Sequence, residues 1–311
     1  MLRRILLAAS ASERVRRLVT FAPLARGVVA RYVAGERAAD AVAVARRLRA
    51  AGLLVTLDHL GEDTTDARQA AAVVDEYVTL LSELAAAGLT GHGAAEVSVK
   101  PTHVGLGLAE HGEKTAAENL ARICAAARNA GTTVTVDMED HTHVEATLRM
   151  VCTLREDFPD LGCVIQSQLR RSADDCAALA GRGSRVRLCK GAYNTPPEAA
   201  FPSRAEVDRS YARCLGELMR GDGYPMIATH DPPLIKIAGA QANLTDRGPG
   251  DFEYQMLYGV RSAEQQRLAS GGAQVRVYVP YGSDWYGYLV RRLAERPANL
   301  LFFLRSLAGS S

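Results

Sequence analysis

The chain has 311 residues, 48% hydrophobic and 23% charged, the balance of an ordinary globular protein. Its 37 Lys and Arg against 35 Asp and Glu leave a formal net charge of +2. That excludes the strongly basic field expected of a nucleic-acid binder or of a protein that collects strongly acidic substrates. No run reaches the roughly 20 apolar residues that a membrane-spanning helix needs.

The chain opens on MLRRILLAASASERVRR, whose apolar stretch is short and soon interrupted by arginines. It reads as an amphipathic helix rather than a secretory signal. Residues 1–50 are expected as a helical or strand extension of a single domain covering 1–311. One pattern then recurs eight times: a short β-branched apolar run, a polar residue, a helical stretch. The candidate strands are 53–57, 97–100, 134–137, 163–166, 186–189, 226–229, 252–255 and 275–278. The candidate helices include 66–88, 115–130, 143–157, 204–221 and 261–270. In the first of these Val73, Val74, Tyr77, Leu80, Leu81 and Leu84 recur at helical spacing. Residues 195–202 and 243–251 read as longer loops.

Strands alternating with helices imply parallel pairing through right-handed crossovers, and eight units suggest closure into a (β/α)8 barrel. An open doubly wound sheet is the alternative; no G-x-G-x-x-G follows an early strand to support it. Six cysteines, at 124, 152, 163, 176, 189 and 214, form no C-x-x-C pair. They read as buried free thiols of a reducing, cytoplasmic setting, not as a disulfide framework or a zinc site.

In such a barrel the chemistry sits at the C-terminal strand ends. Those ends carry Asp58, Lys100, Asp137, Gln166, Arg187 with Lys190, Thr229 with His230, Gln255 and Tyr278. Each has a plain structural reading: Asp58 as a helix cap, the glutamines as internally bonded amides. Eight polar ends together point to one convergent site. The run Asp137-Met138-Glu139-Asp140-His141-Thr142-His143 offers metal ligands, or acidic residues at a helix N-terminus. Arg291 and Arg292 with Glu295 read as an intrahelical ion pair, or as a bidentate clamp for a carboxylate. Lys100 could equally serve a lyase or aldolase as a Schiff-base amine.

Read in order, the motifs resemble the proline dehydrogenase family over about 53–304. They are Thr56-Leu57-Asp58-His59-Leu60-Gly61-Glu62, Ser98-Val99-Lys100, Val136-Asp137-Met138-Glu139 and Val164-Ile165-Gln166-Ser167. Arg187-Leu188-Cys189-Lys190-Gly191-Ala192-Tyr193, Ala228-Thr229-His230-Asp231 and Phe252-Glu253-Tyr254-Gln255 follow. Tyr278-Val279-Pro280-Tyr281-Gly282 and Tyr288-Leu289-Val290-Arg291-Arg292-Leu293-Ala294-Glu295 complete the set. The length is that of a short bacterial monofunctional enzyme.

The resemblance implies a distorted TIM-like barrel with extra N-terminal helices. It implies noncovalent FAD, hydride transfer from C5 of L-proline to flavin N5, and Δ1-pyrroline-5-carboxylate as product. A membrane quinone would take the electrons, with peripheral contact at the inner face of the cell membrane. By motif match, Arg291, Arg292 and Lys100 would hold the substrate carboxylate. Tyr278, Tyr288 and Leu188 would shape the proline pocket, and Glu62 would pair with Arg291 to close it. Asp137 would lie by the reacting centre and Arg187 by flavin N5. Met138, Val164, Gln166, Lys190, Gly191, Ala192, Thr229, His230 and Gln255 would surround FAD, and no metal is implied. Two positions depart from the usual pattern: Asn194 stands where many relatives have Trp, and Asp231 follows His230. A noncatalytic flavin-binding redox sensor is a further alternative. The apolar run 300–304 reads as packing over the barrel or as a membrane contact.

Overall fold

The computed structural model describes residues 23–294. Two helices lead in, α1 (Pro23–Tyr32) and α2 (Ala38–Ala50). Eight strand–helix units follow: β1 (Leu54–His59) and α3 (Ala67–Ala86), β2 (Ala95–Val99) and α4 (Gly112–Asn129), β3 (Val134–Val136) and α5 (Val144–Leu154), β4 (Gly162–Gln166) and α6 (Ser172–Leu179). Then come β5 (Arg185–Cys189) and α7 (Arg204–Arg220), β6 (Tyr224–Ala228) and α8 (Pro232–Leu244), β7 (Glu253–Leu257) and α9 (Ser262–Ser270), β8 (Val275–Tyr281) and α10 (Trp285–Ala294). The strands pair in parallel in sequence order, and β8 returns to β1 to close the barrel. The open sheet is thereby set aside.

Local chemistry explains the helix boundaries. In α3 the apolar residues Val73, Val74, Tyr77, Leu80, Leu81 and Leu84 make one buried stripe against the sheet. Its first turn is capped by the Asp66 side chain, which accepts from the amides of Arg68 (2.8 Å) and Gln69 (2.9 Å). A capping box of Ser203 and Glu206 starts α7, and two prolines open the first turn of α8. Helices α6 and α8 are absent from the sequence-based set. One is only eight residues long, and the other begins on prolines that mimic a loop.

Two expectations need revision. Residues 23–50 contain two helices and no strand, and α2 is no mere extension. Its buried Ala41, Val42, Val44 and Ala45 join the main core, where it packs against β1 and β8. Helix α10 does not fill that outer place. It joins α1 in a second apolar cluster of Tyr32, Val33, Leu60, Trp285, Tyr286, Tyr288, Leu289 and Val290. Leu60 and the adjoining Val260 follow the C-terminal ends of β1 and β7, so this cluster sits at the barrel mouth. The Trp285 indole donates to Glu36 (3.0 Å), tying α10 to the segment after α1. This is the distortion of the barrel: the eighth helix caps the mouth, and α2 covers the wall in its stead.

The second revision concerns the cysteines. All six are free thiols, and Cys124, Cys163, Cys176 and Cys214 are buried; Cys189 is half-buried and Cys152 is exposed on α5.

Candidate active site

Successive residues of a strand point to opposite faces, so polar residues two apart share the barrel interior. The structure shows two interior layers of this kind. At the floor, Glu96 (β2) accepts from Arg185 (β5) at 2.7 Å, from Thr56 (β1) at 2.8 Å and from Thr135 (β3) at 3.2 Å. Arg276 (β8) forks onto Glu253 (β7) at 2.7 and 3.0 Å. Strands β2 and β5 are not neighbours, so the Glu96–Arg185 bond crosses the lumen. Burial would raise the Glu96 carboxyl, but Arg185, Arg276 and Arg187 outweigh it and hold it down at about 2.

One layer up lies the mouth. The Lys100 ammonium donates to both Asp58 oxygens, at 2.7 and 2.8 Å, and stands 4.0 Å from Asp137. Asp137 is the hub of the layer. It accepts from Arg187 Nη1 (2.6 Å), from Ser98 Oγ (2.8 Å) and from the Tyr278 hydroxyl (2.7 Å). Arg187 Nη1 also donates to Ser98 Oγ (2.8 Å), Arg187 Nε donates to Gln255 (2.5 Å), and the guanidinium lies 5.2 Å from the Tyr278 ring centroid. Burial raises the Tyr278 hydroxyl well above its ordinary value, and Asp137 and Asp58 raise it further, so it stays a donor. Burial pulls Lys100 down, but Asp58 and Asp137 outweigh it, and the net shift is upward. Asp58 is itself raised, burial exceeding the pull of Lys100. The two layers are joined: Gln255, which accepts from Arg187, donates to Glu253 (2.5 Å).

A third set forms a rim on the loops after β3 to β6. The Gln166 amide donates to the carbonyls of Met138 and Glu139, both at 2.8 Å. Val164 and Met138 are buried beside it. Gln168 donates to the Tyr193 carbonyl at 3.2 Å, and Gly191 packs on the same side chain. Gly191 has φ +102°, and a Cβ there would stand 2.4 Å from Gln168. Only glycine holds the chain so close in that conformation. Lys190 pairs with Asp208 (2.5 Å) and Asp231 (2.8 Å), and Thr229 Oγ1 accepts from the Asp231 amide at 3.1 Å. The departure at Asp231 thus supplies a carboxylate to Lys190. Ala192 and Asn194 are exposed. His230 Nε2 accepts from the Leu257 amide at 2.9 Å. The amide of Gln166, a backbone cradle at Gly191 and apolar Met138 and Val164 suit a flavin, while Lys190 already carries two carboxylate partners.

The structure therefore brings together Lys100, Asp137, Arg187, Gln255 and Tyr278, while Met138, Val164, Gln166, Lys190, Gly191, Ala192, Thr229 and His230 lie on β4 or on the segments that follow β3, β5 and β6. Leu188 is not part of that cluster. It is fully buried in the main core beside Arg187 on β5, and alternation directs the two to opposite faces. Tyr288 is buried in the α1–α10 cluster at the mouth. Glu62 is half-buried on the β1–α3 loop, close enough to act electrostatically on Lys100. Arg291 and Arg292 lie on the last turns of α10. Their side chains, together with Glu295 and 300–304, lie outside the described residues.

The acidic run after β3 divides three ways. Asp137 enters the lumen, Glu139 bonds Thr102, and Asp140 accepts from the Thr142 amide at 3.0 Å. Among the described residues no group of three or more His, Cys, Asp or Glu could hold a metal ion.

Sequence reasoning passed over Glu96, Ser98, Arg185, Glu253 and Arg276. The signal was there: 56/58, 96/98/100, 135/137, 185/187, 253/255 and 276/278 are polar at period two. Reading each strand for its apolar run hid them: Arg185 and Ala95-Glu96 fell outside the strand limits drawn, and Ser98, Glu253 and Arg276 were passed over inside them.

A family model described as proline dehydrogenase matches residues 41–305. Proline dehydrogenase 1 of Bacillus subtilis subsp. natto is 37% identical over 278 residues, 89% of each chain. Proline dehydrogenase of Deinococcus radiodurans is 38% identical over 279 residues, again 89% of each. Among solved structures, proline utilization A of Bdellovibrio bacteriovorus, inactivated by N-propargylglycine, superposes with a TM-score of 0.79 at 25% identity. That match covers 87% of this chain and 33% of the other, so this chain spans about a third of that protein. A proline utilization A mutant of Bradyrhizobium japonicum shares the fold at a TM-score of 0.70.

Proposed function

This chain belongs to the proline dehydrogenase family, and from that premise we propose that it uses FAD to oxidise L-proline to Δ1-pyrroline-5-carboxylate at the mouth of its barrel. The family makes it an oxidoreductase acting on the CH–NH group of proline, in proline catabolism. One observation carries the mechanistic reading: Lys100, Asp137, Arg187 and Tyr278, from four different strands, meet as one bonded group at the C-terminal ends.

Proline arrives as a small zwitterion. Its carboxylate suits a cationic clamp of Arg291, Arg292 and Lys100, and its ring suits a wall of Tyr278 and Tyr288. Glu62 pairs with Arg291 to close the loop over the substrate. Met138, Val164, Gln166, Lys190, Gly191, Ala192, Thr229, His230 and Gln255 would hold noncovalent FAD. When bound, FAD would supply the electron sink for a hydride equivalent leaving proline C5. Asp137 orients both Tyr278 and Arg187 toward the reacting centre, and the Arg187 cation favours negative charge nearby. A membrane quinone would accept the electrons, by peripheral contact from the cytoplasm. Among the described residues no helix is long and apolar enough to cross a membrane.

The lyase reading fits less well. A Schiff-base lysine needs a depressed pKa, whereas Lys100 is raised and spends its ammonium on Asp58. Purified protein distinguishes the readings. With FAD it is expected to be yellow and to bleach on adding L-proline. Folded protein that binds no FAD sinks the proposal, and flavin that binds but never bleaches favours the redox sensor. Arg291→Ala is expected to raise KM for proline steeply while FAD stays bound.

A further inference from the structure

Glu139 is a buried carboxyl that the mechanism above does not use. It is 3% exposed, and no described cation lies in contact with it. Both its oxygens are spent on one residue: Oε2 accepts from the Thr102 amide at 2.8 Å, and Oε1 accepts from the Thr102 hydroxyl at 2.6 Å. Thr102, 1% exposed, opens the short helical turn Pro101–Val104 directly after Lys100. Apart from the Gly105 amide, which donates to the Thr102 carbonyl within the turn (3.3 Å), its other partners lie on the β1–α3 loop. The Asp63 amide donates to its hydroxyl oxygen (3.2 Å), and the Thr64 amide (3.3 Å) and hydroxyl (3.0 Å) donate to its carbonyl. That loop has no regular structure over 61–65, and Asp63 sits at φ +53°, a left-handed conformation costly for a non-glycine residue. A segment without its own ladder holds a shape only through such outside anchors. It is also the segment that carries Glu62.

We propose that Glu139 is a positioning residue for proline oxidation: through Thr102 it fixes the loop that presents Glu62, and so sets the substrate side of the mouth. The inference rests on the function proposed above. The flavin side depends on Glu139 only through its backbone carbonyl, which Gln166 holds and which side-chain substitution leaves in place. Removing the carboxyl should therefore act on substrate capture and spare cofactor binding. The charged groups that act on Glu139 are Lys100 from the β2 end and Glu62 from the loop. Burial raises its carboxyl to about 7, Glu62 adding to the rise while Thr102 and Lys100 oppose it. When ionised, the carboxylate accepts both Thr102 donors. When protonated, it must donate to the hydroxyl, whose own hydrogen then loses its acceptor. The anchor therefore changes with protonation near neutrality.

The test uses the full chain loaded with FAD and the variants Glu139→Ala, Thr102→Val and Glu139→Gln. Losing one or two buried hydrogen bonds should raise KM for L-proline about tenfold in Glu139→Ala and Thr102→Val, with kcat and flavin content within about twofold of the parent. Glu139→Gln keeps an acceptor for the Thr102 amide. It should recover most of the lost affinity and flatten the change in KM that the parent shows across pH 7. Hydrogen exchange at the Asp63 and Thr64 amides should quicken in Glu139→Ala and Thr102→Val and stay slow in the parent. This last readout needs no turnover, so it judges the anchor even if the parent fails to oxidise proline, which would sink the proposed reaction by itself. Unchanged exchange at 63 and 64 with unchanged KM in Thr102→Val overturns the assignment, as does flavin loss that parallels the rise in KM.

Discussion

The floor and the mouth of the barrel interior carry matching charge sets and use them differently. At the floor Glu96 and Glu253 face Arg185 and Arg276; at the mouth Asp58 and Asp137 face Lys100 and Arg187. Each layer is neutral. The floor carboxylates are fully covered, with Arg276 at 4% and Arg185 at 13%, whereas at the mouth the carboxylate Asp137 itself keeps 13% and Lys100 10%, with Arg187 at 5% and Asp58 at 2%. The floor closes on itself between strands. The mouth is open to the loops and to α10, and it adds a phenol that shares the same carboxylate. Buried ion pairs are weak net stabilisers, but losing one partner leaves an uncompensated charge. The lesson is that position along the strand, not charge content, separates a folding element from a binding one.

The comparison can be broken most forcefully at the floor. Arg276→Met strands Glu253 without its fork and should lower stability by about 3–5 kcal/mol in urea unfolding. In the surviving flavin-loaded protein KM for proline should move far less than in the mouth variants. At the mouth, Asp137→Ala removes the common acceptor of Arg187, Ser98 and Tyr278. It should reduce kcat/KM on the order of 10²-fold, with a smaller loss of stability than Arg276→Met. If both variants lost stability alike and activity alike, the division between the layers would fail.

Acid sharpens the contrast. The folded Glu96 carboxyl is depressed to about 2 from an ordinary 4.5. Its contribution is thus complete above 4.5 and lost as pH falls from there toward 2. Asp58 is raised, so its own contribution has the opposite sign: complete below its ordinary 3.8 and lost as pH rises through its folded value. Urea midpoints followed down through this range should fall in the parent, and Glu96→Gln should flatten that slope. The smallest effect belongs to Tyr278→Phe. Removing one hydroxyl from Asp137 is worth about 1 kcal/mol, roughly a fivefold rise in KM for proline, with flavin content unchanged.

Much of this architecture is legible in the residues. Val134-Thr135-Val136 and Val97-Ser98-Val99 announce strands, and the stripe from Val73 to Leu84 announces a helix facing a sheet. Eight repeats of that alternation lead to a closed barrel, because parallel strands joined by helices leave few other ways to cover both faces. The ordered motifs likewise bring Lys100, Asp137, Arg187 and Tyr278 to strand ends. Less legible was the N-terminal part, where α2 proves integral to the wall and no strand appears in 23–50. An Ala-rich helix that packs on β1 and β8 looks the same in sequence as one that merely precedes them.

What the sequence determined by itself is therefore local and periodic: which residues are strand, which are helix, and which polar residues share a strand face. Period two is a property of one strand and needs no partner to be read. What only the tertiary structure decided is who meets whom. Glu96 finds Arg185 across the lumen, Asp137 collects groups from β2, β5 and β8, and Glu139 reaches the β1–α3 loop through Thr102. Those partners lie between 37 and 141 positions apart along the chain. Closure of the barrel, with the stagger of its strands, sets their distances, and no local pattern encodes that stagger.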